Sequence, residues 1–360
     1  MDAAATTEER LTPLGNAPAF AGGVHEAAPE TFAWIQPNGD LGESNAGLIV
    51  GDGESVLIDT LWDERLTRRM LDAMVSAREG APVSTLINTH GDGDHWYGNG
   101  LLGGTEIIAT ERAAAQMAEE PPAMLRRMRM LPVIAGKAAG LPLLPSKERM
   151  RGLAAFGRAL SAYHFDGIKP RLPTREFSGR LELEIGGRSI ELIEVGPAHT
   201  SGDAIVWVPD RRVLFSGDVV FSGVTPIMWA GPASNWIAAL ERIAELEPTS
   251  IVPGHGPICD LERVDQLHGY WTYLLRHVPE GAGGAIAELS EELVGGAEYR
   301  TSPWGEWRAP ERTLINVAMI ARERDGESGP IGVPKRIALL SAMGALRERL
   351  TAKGITVADA

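Results

Sequence analysis

Within six residues, His90-Gly-Asp92-Gly-Asp94-His95, the chain sets two imidazoles and two carboxylates side by side. Imidazole nitrogen suits zinc, iron and copper, and carboxylate oxygen suits harder ions. Groups this close repel one another and lose solvation unless a cation lies among them. The spacing therefore points to metal binding, against the plainer alternative of a solvated acidic turn carrying two surface histidines. Three further positions offer the same residue types in small or rigid surroundings. They are His199 in Gly196-Pro-Ala-His-Thr-Ser-Gly-Asp203, Asp218 in Ser216-Gly-Asp, and His255 in Pro253-Gly-His-Gly. Each alone is a weak signal, but each also follows a short apolar run, as the first cluster does.

Those runs read as strands, and strand carboxyl ends are where open α/β sheets place their ligands. Thr85-Leu-Ile87 feeds the 90–95 cluster. Ala46 to Val50 and Ser55 to Ile58, split by Gly51-Asp-Gly53, predict a hairpin that ends at Asp59. Asp63 is placed as the cap of a helix with Leu66, Met70 and Met74 on one face. Glu106 to Ala109 predicts another strand, with Thr110 capping a helix that runs to about Glu119. Leu181 to Ile185 and Ser189 to Val195 form a pair around Gly186-Gly187. Ala204 to Val208 and Arg212 to Ser216 follow, joined by a turn at Pro209-Asp210. Ser234 is read as the cap of the next helix, and Ser250 to Val252 as the last strand. The alternation is α/β in class.

Residues 120–175 break this rhythm with prolines and no strand pattern. They read as a helical insert, either a lid over the site or a hairpin packed on the core. Residues 1–20 read as a loose N-terminal tail, 21–280 as the catalytic domain, and 281–360 as a C-terminal helical extension. The extension either closes a pocket or forms a dimer face, so a homo-oligomer stays open.

The composition, 44% hydrophobic and 23% charged over 360 residues, is that of an ordinary globular protein. With 34 basic against 48 acidic residues the formal charge is −14, which disfavours nucleic acid or an anionic membrane as partner and leaves a small-molecule substrate. The single Cys259 allows no intrachain disulfide. The polar, acidic start is unlike a signal peptide, and the expected location is cytoplasmic.

Taken in order, these motifs resemble the metallo-β-lactamase fold superfamily of metal-dependent hydrolases, including its hydroxyacylglutathione hydrolase-like members. The resemblance rests on Asp59 at a strand end, the H-x-D-x-D-H run at 90–95, His199, Asp218 in a Gly-Asp pair, and His255 in a Gly-His-Gly loop, and it spans about residues 20–260. It implies a four-layer αβ/βα sandwich with a helical insert and C-terminal helices, and a binuclear site of two divalent ions, zinc first among them. By that resemblance His90, Asp92 and His199 hold one ion, Asp94, His95 and His255 hold the other, Asp218 bridges them, and Asp59 orients the site. One position departs from the family pattern. Asp92 stands where a histidine is usual, which hardens that half of the site and admits iron or manganese.

The chemistry that the resemblance implies is attack by a metal-bound hydroxide on a carbonyl substrate, an ester, thioester, lactone or amide, with Asp94 or Asp218 moving the proton. A diiron enzyme of oxygen or NO chemistry on the same fold, and a β-lactamase, are the alternatives. Trp62, Trp96, Tyr97, Phe221, Met228 and Trp229 flank the metal-bearing loops and are the candidates for an aromatic pocket wall. Arg126, Arg127, Arg129, Lys169 and Arg171 in the insert offer cations for an anionic substrate group, or simply a solvated face.

Overall fold

The computed structural model describes residues 12, 13, 15–123, 125, 126, 157 and 159–355. Most of the 120–175 insert, with Arg127 and Arg129, and much of the 1–20 tail lie outside the described residues.

Two sheets form the centre. The first has seven strands in sequential order. These are β1 (Gly23–Ala28), β2 (Thr31–Ile35), β3 (Ala46–Val50), β4 (Ser55–Ile58), β5 (Val83–Ile87), β6 (Glu106–Thr110) and β7 (Arg175–Phe177). Pairing is antiparallel from β1 to β4 and parallel from β4 to β7. The second sheet takes β8 (Arg180–Ile185), β9 (Arg188–Glu194), β10 (Ala204–Val208), β11 (Val213–Phe221) and β12 (Ser250–His255). There β8 to β11 are antiparallel, and β11 runs parallel to β12. The hairpin at Gly51-Asp-Gly53 and the pair around Gly186-Gly187 fall where the sequence places them.

Strand alternation makes the layers, because neighbouring side chains leave a strand on opposite faces. Ile49, Val56, Ile58, Val206, Val208 and Phe215 join one buried cluster between the sheets. Leu48, Leu57, Ile205, Trp207 and Leu214 point the other way, into the cluster that the helices cover. The result is helix, sheet, sheet, helix, with apolar contact at each boundary. Gly47 serves this packing directly, since a side chain there would collide with the Phe215 ring.

The helices begin on their expected caps at two of three sites. Asp63 accepts from the Leu66 amide at 2.7 Å and starts α1 (Glu64–Ala73). Thr110 accepts from Ala113 at 3.1 Å, starts α2 (Glu111–Glu119), and donates to the Gly202 carbonyl at 2.7 Å. Ser234 is a correction. The helix α3 (Ala233–Glu245) starts directly after Pro232, so Ser234 lies inside its first turn and makes no cap bond. The strands β1 and β2 are a second departure from the sequence reading, which placed no element before Ala46.

Beyond β12 the chain is helical: α4 (Leu261–His277), α5 (Ile286–Gly295), α6 (Ala297–Thr301), α7 (Thr313–Arg324) and α8 (Val333–Ala352). These helices share the larger hydrophobic cluster with the sheets, from Trp34 through Trp271 and Ile315 to Leu350. Helix α7 is buried all round from Thr313 to Ala321. Its Asn316, fully buried, accepts from the Met228 amide at 2.9 Å and donates to the Pro226 carbonyl and the Tyr270 hydroxyl, both at 2.8 Å. No helix among the described residues is long and apolar enough to cross a membrane.

Asn316 is thus the polar pin between α7 and the segment after β11. Replacing it by leucine keeps the branched shape but leaves the Met228 amide and the Pro226 carbonyl unpaired, while the Tyr270 hydroxyl keeps Thr313, at a cost of about 1–3 kcal/mol for each lost partner before relaxation. Asn316→Leu is expected to lower stability by roughly 3 kcal/mol, read as a shift in the urea midpoint with an unchanged slope. An unchanged midpoint would remove the pin from the account.

Candidate metal centre

The residues singled out from the sequence meet where both sheets present their strand ends. Asp59 follows β4 in a left-handed conformation, φ 60°, which Asp tolerates better than most residues. Its carboxylate accepts from the Thr89 amide at 2.8 Å and the Thr89 hydroxyl at 2.7 Å, and pairs with His95 Nδ1 at 2.9 Å. After β5, a single 3-10 turn, Gly93–His95, aims Asp94 and His95 inward. Trp96 Nε1 donates to the Gly91 carbonyl at 3.0 Å and closes that turn from the core side. His199 follows β9, Asp218 lies within β11, and His255 ends β12. Gly254 is required beside them, because a Cβ there would fall on the Asp218 carboxylate.

Three of the four imidazoles are fixed through Nδ1. His90 meets the Thr89 hydroxyl at 3.0 Å, His95 meets Asp59, and His199 meets the Ile227 carbonyl at 2.6 Å. Their Nε2 atoms are left facing one another's carboxylates. His199 Nε2 lies 3.1 Å from Asp92 Oδ2 and 3.3 Å from Asp218 Oδ2. His255 Nε2 lies 3.4 Å from both Asp94 Oδ2 and Asp218 Oδ2, its ring stacked on Phe221 at 5.2 Å. His95 Nε2 and Asp218 Oδ1 are 3.2 Å apart but not aligned as a hydrogen bond. The two oxygens of Asp218 therefore face different histidines.

Three overlapping groups each bring their ligand atoms within 4.8 Å: His90, Asp92 and His199; His90, His95 and Asp218; Asp94, His95 and His255. His90 Nε2, His95 Nε2 and Asp218 Oδ1 are buried without a hydrogen-bond partner among the described residues. Buried polar atoms are normally satisfied, so three such atoms in one place, all of ligand type, fit a divalent cation. The electrostatics agree with the donor set. Burial pushes the His90 imidazole down to about 4, with His95 adding to the effect. At His199 burial also disfavours charge, but the Asp218 and Asp92 carboxylates reverse it and push the group up to about 9. Burial opposes ionisation of Asp218, yet His255, His95 and His199 hold it well below the usual carboxylate range.

A cleft enclosing about 680 Å³ of empty space, its open mouth included, adjoins the cluster. Asp92, Asp94, Trp62, Tyr97 and Trp229 line it, together with Leu41, Leu125, Val333 and Leu340. Trp96, Phe221 and Met228 lie behind it in the core. Arg171 is not at the cleft; it bonds the Leu102 and Thr105 carbonyls. Arg126 pairs with Asp166 at 3.8 Å. Among the described residues the cation at the cleft is Arg336 of α8, which the sequence reading missed, as it missed Gln116 and Glu120. Gln116 follows the Thr110 cap on the helix nearest the motif and was within reach of a register argument. Nothing local marks Arg336, which meets Glu120 across 216 residues of sequence.

Metal affinity here competes with protons, since ligation needs the neutral ring. After chelation, His199 binds its proton in the folded protein up to about pH 9 but in the unfolded chain only to 6.5. Stability from this source is complete below pH 6.5 and is lost as pH rises towards 9. Urea midpoints of the chelated protein are expected to fall across that window, and added zinc is expected to abolish the fall. A midpoint that rises there without metal would contradict the assignment.

Comparison with known proteins follows the same lines. The sequence profile of the "Metallo-beta-lactamase superfamily" matches residues 39–255. The chain is 29% identical over 213 residues to the 2,4-dinitroanisole O-demethylase subunit alpha of Nocardioides sp., covering 58% of this chain and 51% of that one. It is 24% identical over 300 residues to the acyl-coenzyme A thioesterase MBLAC2 of Bos taurus, covering 78% and 98%. The chain spans about half the length of the first curated relatives it matches. A solved double mutant of the sec-alkyl sulfatase PisA1 superposes with a TM-score of 0.60 at 15% identity, covering 84% of this chain and 50% of that one, a likeness of fold. Profile, strand order and ligand placement converge on one assignment: the chain belongs to the metallo-beta-lactamase superfamily.

Proposed function

We propose that this chain is a metal-dependent hydrolase with a centre for two divalent cations, acting on an ester, thioester, lactone or amide carbonyl. The observation that carries this reading is the set of three overlapping ligand groups opening onto an apolar cleft. The names of its relatives, an acyl-coenzyme A thioesterase, a metallo-beta-lactamase, a linear alkylsulfatase and an O-demethylase subunit, lend support at the level of reaction class.

In this reading His90, Asp92 and His199 hold one cation, Asp94, His95 and His255 hold the second, and Asp218 reaches both. Such a pair supplies a Lewis acid for the carbonyl oxygen and a water acidic enough to attack near neutral pH. Asp59 fixes His95 in the tautomer that presents Nε2. The Ile227 carbonyl does the same for His199. Asp94 is the reachable base, because it lines the cleft while Asp218 is nearly sealed. Its carboxylate would take a proton from the attacking water and return it to the leaving group. Trp62, Tyr97 and Trp229 exclude water along the wall and seat an apolar substrate body. The carboxylate at position 92 favours a second assignment of the metals, to iron, with redox chemistry on the same scaffold.

Elemental analysis decides between these, on wild type and on Asp92→His, beside a panel of esters, thioesters, lactones and amides. Two zinc ions per chain and turnover of one panel class are expected. Asp94→Ala is expected to lose about a hundred- to ten-thousand-fold in kcat/KM and one equivalent of metal. Two irons with a diiron spectrum would transfer the protein to redox chemistry. Full activity and both metals in Asp94→Ala would overturn the reading.

A further inference from the structure

Asp92 is held by more than its ligand partners. Its Oδ2 faces His199 at 3.1 Å, while its Oδ1 accepts from Gln116 Nε2 of α2 at 2.7 Å. The same Oδ1 lies 3.9 Å from Arg336 Nη1, on the first turn of α8. Arg336 is itself clamped: Nη1 meets the Glu120 carboxylate at 3.1 Å, and the guanidinium carbon lies 5.3 Å from the Trp229 ring centre. Its side chain is only 14% exposed. A buried arginine in this setting is a fixed cation rather than a solvated one, and its field on the neighbouring carboxylate is little screened.

Resting on the two-cation reading above, we propose that Arg336 is the positioning residue that makes an aspartate workable as a ligand at position 92. The physical case has two parts. An aspartate in place of a neutral imidazole adds one negative charge to the centre, and the Arg336 guanidinium offsets it from 3.9 Å. Arg336 and Gln116 also face the same carboxylate oxygen, so the other is the one presented to His199. Residue 336 lies outside the segment matched by the family profile, so the centre draws on the C-terminal helices as well as on the sandwich.

The test is a double-mutant cycle on the full chain, read by zinc competition against a metallochromic chelator. It compares wild type, Arg336→Gln, Arg336→Lys, Asp92→His and Asp92→His/Arg336→Gln. Arg336→Gln is expected to weaken one of two zinc equivalents about 10–100-fold and leave the other unchanged. Arg336→Lys, which keeps the stem and the charge, is expected to restore part of that affinity and remains readable where the glutamine variant folds poorly. In the Asp92→His background the glutamine substitution is expected to have almost no effect, which is coupling that a purely structural role would not produce. Equal losses in both backgrounds, or none in either, would overturn the proposal while leaving the hydrolase reading intact. A wild type that binds neither zinc nor iron nor manganese would overturn both.

Discussion

Imidazoles and carboxylates packed together without water repel, lose hydration and compete for protons, and the arrangement at 90–95, 199, 218 and 255 must answer all three demands. Its answer is to give four of the seven candidate ligands a second partner on the side away from the cluster. Thr89 takes His90, Asp59 takes His95, the Ile227 carbonyl takes His199, and Gln116 takes Asp92. Each of these bonds chooses which atom of the ligand points inward. Orientation is therefore decided by the supporting residues, and the cluster is only as ordered as they are.

Those supports come from every layer of the fold. Asp59 is presented by the first sheet, Gln116 by the helix that Thr110 caps, and Ile227 by the segment that Asn316 of α7 pins. Asp203 holds the loop around His199 by accepting from the Ala198 and Thr200 amides, and burial pushes its carboxyl up to about 6. The C-terminal helices are thus part of the geometry of the site, since one of them secures the segment whose Ile227 carbonyl meets His199, a candidate ligand. The sandwich supplies the candidate ligands, and sandwich and helices together supply the constraint.

Much of this was legible in the residue order, for identifiable reasons. Ser55 to Ile58 and Leu181 to Ile185 announced themselves because glycine pairs mark their turns and their apolar residues alternate or run unbroken. Asp63 and Thr110 were legible as caps because a side-chain oxygen before an apolar period has few other uses. The ligands stood out because His and Asp recur after strand-like runs. What stayed hidden was tertiary. Gly23–Ala28 carries His25 and Glu26, which dilute its strand pattern, and Thr31–Ile35 is a run of only five residues; the first is fixed by pairing with the second, and the second by pairing with Ala46–Val50. Ser234 looked like a cap, yet Pro232 already sets the entry to that helix. Half of the expected aromatic wall proved to be core, because an aromatic near a ligand in sequence can as easily face inward.

Asn45 marks the line where the two sheets meet. Its amide donates to the Pro253 and Gly256 carbonyls at 2.9 and 2.8 Å, and its backbone N–H donates to the Gly254 carbonyl. Along the same line, each of the three ligand groups draws residues from both halves: His90, Asp92, Asp94 and His95 from one, His199, Asp218 and His255 from the other. A ligand set divided in this way is a seam. Whatever occupies it stitches one sheet to the other, so its binding free energy is counted at once in the cohesion of the sandwich. The edge that gathers the candidate ligands is then also an edge whose occupancy bears on the stability of the fold.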